Sequence, residues 1–105
     1  MKRLKRRYLA LKVDSDFAPS EREVIDTIWG VVTRLYGEVG ASLASLVLID
    51  YNTQQKVAIL RCNLIAFNEV RTAVATIISI ADKASAVHVL AVSGTIKALR
   101  GKIRS

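Results

Sequence analysis

A chain of 105 residues with 16 Lys/Arg against nine Asp/Glu carries a net charge of +7 and is one domain with room for one core. Its single cysteine, Cys62, excludes an internal disulfide and fits a reducing compartment. An apolar share of 51% and a mean hydropathy of +0.30 are high beside that basicity, and imply that a partner or a second copy covers part of the surface.

Residues 6–14 read as a strand, with Leu9, Leu11 and Val13 alternating with Tyr8, Ala10 and Lys12. Residues 15–19 form a turn. Ser20 followed by Glu23 is a capping-box pattern that opens a helix. Val24, Ile28, Val31, Val32 and Leu35 recur on one face of it, widened by Ile25, Trp29 and Tyr36. The pattern predicts a stop at Gly37 and a loop over 37–40. Apolar runs at 44–51 and 56–62, separated by the polar residues 52–55, predict a hairpin. Helical spacing returns over 67–81, on Val70, Val74, Ile77, Ile78 and Ala81. Residues 86–92 read as a fourth strand, Ser93-Gly94-Thr95 as a break, and 96–103 as a short basic helix with Ile96, Leu99 and Ile103 on one side.

The first six of these elements match the split βαβ, or ferredoxin-like, order: an α+β domain with a four-stranded antiparallel sheet and two helices on one face. The strands are apolar on both sides. Val47, Ile49 and Tyr51 oppose Leu46 and Leu48, and Val57 and Ile59 oppose Ala58 and Leu60. The second face is therefore expected to be covered, by the C-terminal helix, by a partner, or by both.

The charge is concentrated at the two ends. Residues 1–7 contribute +5, residues 8–96 contribute −2, and residues 97–105 contribute +4. Residues 1–5 read as a basic arm and 95–105 as a basic helix and tail of the single domain 1–105. Such ends on a nearly neutral body point to phosphate contacts. The plain alternative, a pair of solvated tails, is weakened by two ends of the same sign, one of them at helical spacing. The first-strand aromatic is Tyr8 and the third strand has none, so base stacking on the sheet is not expected. RNA would be held by charge and shape.

Catalytic chemistry finds little support. His88 between Val87 and Val89 reads as a sheet-face histidine, and Cys62 as a small buried residue. The carboxylates are scattered, with no metal-ligand spacing. Ser93-Gly94-Thr95 could offer amides to a phosphate or simply cap a helix. The N-terminus is basic without an apolar signal core. The most apolar stretch, 73–81, is about half a bilayer span. A soluble cytoplasmic protein is expected.

Five short motifs occur in order: Arg6-Arg7-Tyr8-Leu9, Gly37-Glu38-Val39-Gly40-Ala41-Ser42, Leu60-Arg61-Cys62, Asn68-Glu69-Val70-Arg71, and Val92-Ser93-Gly94-Thr95-Ile96-Lys97. The set resembles the archaeal ribonuclease P protein component 2 family, related to a eukaryotic subunit shared by ribonuclease P and ribonuclease MRP. The resemblance implies a non-catalytic subunit beside the catalytic RNA that removes 5′ leaders from precursor tRNA. It implies magnesium on that RNA and no cofactor on this chain. It also implies pairing with the TIM-barrel-like ribonuclease P protein component 3, with a homodimer or a 2:2 heterotetramer as open assembly states, and no membrane. The RNA-binding residues expected are Lys2, Arg3, Lys5, Arg6, Arg7, Tyr8, Arg61, Thr95, Lys97, Arg100, Lys102 and Arg104. Asn63-Leu64-Ile65 departs from the family pattern, where more charge is expected. Two other readings share some features. A ferredoxin-like module binding a small ligand at a dimer interface would use the glycine segment 37–40. A ribosomal RNA-binding protein would share the charge pattern.

Overall fold

A computed structural model describes residues 5–104, without the side chain of Arg104. The first strand, β1 (Arg6–Ser15), lies at the centre of the sheet. It pairs antiparallel with β3 (Val57–Asn63) on one side and β5 (Lys83–Ser93) on the other. β2 (Val47–Asn52) flanks β3, and the two-residue β4 (Ser79–Ile80) flanks β5. The sheet order is β2-β3-β1-β5-β4. The domain is thus α+β with a five-stranded antiparallel sheet and three helices, one strand more than expected.

The extra strand and a shortened second helix have one cause. Helix α2 (Phe67–Ala75) ends six residues earlier than its periodicity predicts. Thr76, Ile77 and Ile78 form a β-branched run that packs poorly in a helix. Ile77 is buried while Ile78 is 82% exposed, the alternation of extended chain. Ala81 and Asp82 both take positive φ, 53° and 64°. That is the backbone of a two-residue type I′ turn, and it folds β4 back on β5.

Helix α1 (Glu21–Ala44) opens as predicted. The Glu23 amide donates to Ser20 Oγ at 3.1 Å, and the Ser20 amide donates to Glu23 Oε1 at 2.8 Å. It does not end at Gly37. Gly37 kinks it at φ 77°, ψ 176°, a conformation open essentially to glycine, and the helix resumes to Ala44. The expected loop is therefore a helical turn. Gly40 lies in the resumed helix, where a Cβ would meet Tyr36 Cβ at 2.7 Å, so the position calls for glycine. Leu35 and Tyr36, expected on the packed face, lie at the bend and are about four-tenths exposed.

α1 and α2 cover one sheet face. Leu9, Leu11 and Val13 of β1 and Ala58, Leu60 and Cys62 of β3 pack there against Val24, Ile28, Val32, Val70 and Val74. A bulge between Leu48 and Asp50 shifts the β2 register. Tyr51 therefore joins Leu46 and Leu48 on this face instead of Ile49, and its hydroxyl donates to the Pro19 carbonyl at 2.7 Å. The second face is covered by helix α3 (Ile96–Arg104), where Leu99 is fully buried on Ala10 and Ile59, with Tyr8, Ile49, Ala91, Ile96 and Ile103 around them.

Candidate nucleic-acid interface

The antiparallel pairing of β1 with β3 and β5 decides where the basic end of β1 lies. Arg6 pairs with Asn63, Arg7 with Cys62, and Tyr8 with Arg61 on one side and Ser93 on the other. Directly paired residues share a sheet face. Arg61 and Tyr8 thus stand side by side on the α3 face, both half-buried. Arg7 points to the opposite face, yet its guanidinium reaches the strand–helix junction. A Cβ on Gly94 would lie 3.3 Å from Arg7 Nη1. Arg7 Nη1 also donates to the Arg6 carbonyl at 3.0 Å. Lys5 and Arg6 are exposed, and the Lys5 carbonyl accepts from the Leu64 amide at 2.8 Å.

Helix α3 begins at this same end. Thr95 is its N-cap: Oγ1 accepts from the Ala98 amide at 3.2 Å, and the Thr95 carbonyl accepts from the Leu99 amide at 3.1 Å. The cap read for Ser93-Gly94-Thr95 is thus present in the fold. Lys97 follows in the first turn and is exposed. Further along, Arg100 Nη2 lies 3.6 Å from Asp50 Oδ2, and Lys102 Nζ donates to the Val92 carbonyl at 2.7 Å. The apolar stripe seats on the sheet, so the helix presents its cations outward.

The structure therefore gathers Lys5, Arg6, Arg7, Tyr8, Arg61, Thr95 and Lys97 at one end of the sheet. Lys102 reaches back to this end through the Val92 carbonyl, next to Ser93, which pairs with Tyr8, whereas Arg100 is drawn away to Asp50. Lys2, Arg3 and the Arg104 side chain lie outside the described residues. Asp50 is a contact that the sequence hides. It tethers Arg100 from β2, and only the bulge turns it toward α3.

His88 is exposed on the sheet, with Nε2 3.9 Å from Asp14 Oδ2. Burial pushes the Cys62 thiol up to about 11, with Arg7 pulling weakly the other way. A thiol held neutral is a poor nucleophile. Among the described residues, no three His, Cys, Asp or Glu side chains are grouped to hold a metal ion. No helix among them is long and apolar enough to cross a membrane.

The family model of the Rpp14/Pop5 family matches residues 7–104. The chain belongs to that family. It is 35% identical over 101 residues to ribonuclease P protein component 2 of Pyrococcus abyssi, spanning 96% of this chain and 86% of that protein. It is 33% identical to the protein of the same name from Pyrococcus furiosus, spanning 96% and 84%. A chain in the cryo-EM structure of yeast ribonuclease MRP superposes with a TM-score of 0.68 at 16% identity, covering 90% of this chain and 78% of that one. At that identity the match speaks for the fold alone. The family match begins at Arg7 and runs through the whole of α3, so Arg7, Tyr8, Arg61, Thr95 and Lys97 fall inside it and Lys5 and Arg6 precede it.

Proposed function

We propose that this chain is a non-catalytic protein subunit of ribonuclease P. It binds the catalytic RNA and a second protein subunit, and so supports removal of 5′ leaders from precursor tRNA. The observation that carries the reading is the convergence of β1 and α3. Cations far apart in sequence share one end of the sheet in a member of the Rpp14/Pop5 family. Arg61 and Tyr8 are fixed by strand pairing, and Arg7 by its place against Gly94. That end would present a preorganised set of donors to phosphate. Tyr8 lies beneath α3 with Ala10 and Ile59, which favours backbone contacts over base stacking.

The order β2-β3-β1-β5 supports reading the central four strands as a ferredoxin-like unit to which β4 and α3 are added. The chain carries no cofactor in this reading. Magnesium belongs to the RNA, and cleavage belongs to the RNA. The site of action is the cytoplasm.

The test is reconstitution. The purified chain alone should leave precursor tRNA intact. Added to the catalytic RNA with component 3, it should raise cleavage. Replacing Arg7, Arg61 and Lys97 together by Glu should abolish that gain while the domain stays folded. Full support of cleavage by the triple variant would reject the reading.

A further inference from the structure

The kink at Gly37 has a second consequence. It turns the last two turns of α1 toward the start of α2 and opens a cavity of about 230 Å³ between them. Tyr36, Gly40, Leu43, Ile65 and Ala66 line it, with Glu69 on its wall. Its apolar walls reach solvent: Leu43 is 53% exposed, and Ile65 is 74% exposed. Val39, on the same resumed turn, is 75% exposed. Single exposed apolar residues are ordinary, but several around one cavity mark an interaction surface. The glycine at 40 keeps the groove deep, since any side chain there would collide with Tyr36.

The segments that frame it carry carboxylates, while the basic end of β1 adjoins one side: the Lys5 carbonyl accepts from the Leu64 amide, next to Ile65, and Arg6 pairs with Asn63. Residues 36–44 contain Glu38 alone, and residues 63–69 contain Glu69 alone. The uncharged Asn63-Leu64-Ile65 segment supplies Ile65 to the rim. Among the described residues that line the cavity, Glu69 is the one charged side chain. An apolar lining with a carboxylate in its wall favours a protein partner over phosphate.

We infer that this groove receives an amphipathic helix of the protein partner, which seats a large apolar side chain in the cavity and places Lys or Arg against Glu69 and Glu38. The volume suits this, because an apolar cavity of about 150 Å³ takes one benzene ring. A helix offers anchors at i and i+4 with cations on its flanks, which matches an apolar floor with an acidic rim. The inference rests on the partner reading above and names the surface that serves it.

The test uses the full chain and purified ribonuclease P protein component 3, with binding followed by calorimetry and folding by thermal melts. Ile65→Asp alters an exposed side chain, so the domain should keep its melting temperature while the Kd for component 3 rises at least tenfold. Glu38→Lys with Glu69→Lys should weaken binding at low salt and abolish its salt dependence. Affinity for the catalytic RNA should stay within about twofold in Ile65→Asp. Unchanged binding of component 3 by both variants overturns the groove assignment and leaves the partner reading standing. Failure of the wild-type chain to bind component 3 overturns both. A wild-type homodimer that Ile65→Asp dissolves also overturns the assignment, because the occupant is then a second copy.

Discussion

The guanidinium of Arg7 lies against Gly94, so close that a methyl group on the glycine would meet Nη1 at 3.3 Å. One residue from the start of the chain's first strand thus reads the turn that launches its last helix. Gly94→Ala should push that guanidinium by a few tenths of an ångström without disturbing the core. RNA affinity should fall by a few-fold with no change in melting temperature. Filter binding of the variant to the catalytic RNA checks this, and wild-type affinity would show that the position of Arg7 does not matter.

Salt reports how many of these cations act. Each phosphate neutralised adds roughly 0.7 to 0.9 to the slope of log affinity against log salt. If Arg7, Arg61 and Lys97 all contact phosphate, replacing any one by Ala should reduce that slope by about 1. Arg100, already 3.6 Å from Asp50, should change it less. Equal loss at all four positions would mean that the end of the sheet holds no special place.

Gly37 sits at φ 77°, ψ 176°, where a Cβ is strained although nothing crowds it. Gly37→Ala should cost about 1 to 3 kcal/mol in a denaturant titration. The loss should come from backbone strain alone, so Gly30→Ala, with open space and ordinary angles, should not destabilise the domain. Equal behaviour of the two variants would remove the kink from the account of α1.

What the sequence made legible was local. Ser20 and Glu23 cap α1 through groups three residues apart, and Ile96, Leu99 and Ile103 announce the buried side of α3 by spacing alone. What it hid depended on partners distant in the chain. Tyr51 changes face because β3 imposes a bulge on β2. Ile77 and Ile78 keep helical spacing by coincidence, and the Ala81-Asp82 turn has Ala where such turns usually have Asn, Asp or Gly and Asp where they usually have Gly. Gly37 signals an unusual angle correctly, but whether the chain then stops or kinks is decided by Ala41 and Ala44, which bury against the core beyond it. The grouping of Arg7, Arg61 and Lys97 follows from strand pairing, which no short motif encodes.

The buried thiol gives a pH signature. The folded pKa of Cys62 stands at about 11, raised by burial above the 9.0 of a free thiol. Above pH 9 the unfolded chain releases this proton while the folded chain keeps it, so the unfolded state holds fewer protons and is favoured as pH rises. Stability should therefore be full below pH 9 and fall between about 9 and 11. The Tyr51 hydroxyl, raised by burial and then by Glu23, acts in the same direction. Cys62→Ala isolates the thiol: its stability should depend less on pH across that window than that of the wild type, in parallel denaturant titrations. Identical slopes would mean that the thiol is not held neutral.

Helix α3 has nine residues, too few to be stable alone, so it persists only through its seat on the sheet. Leu99, fully buried on Ala10 and Ile59, is that seat. The small cluster beneath α3 is separate from the large core under α1 and α2. Leu99→Ala should therefore detach α3 before it unfolds the domain. Amide exchange in α3 should rise strongly while β1 and β3 stay protected, and the global loss should fall at or below the roughly 2 to 5 kcal/mol usual for a buried leucine. RNA affinity should drop several-fold with it, because Lys97 keeps its charge and loses its place. Ile59→Asp attacks the same seat from the sheet side by setting an unpaired charge under the helix, and should expose the same amides. If α3 and the strands lose protection together in both variants, the helix is part of one cooperative unit, and the cations it carries are fixed by the whole fold rather than by a single docked leucine.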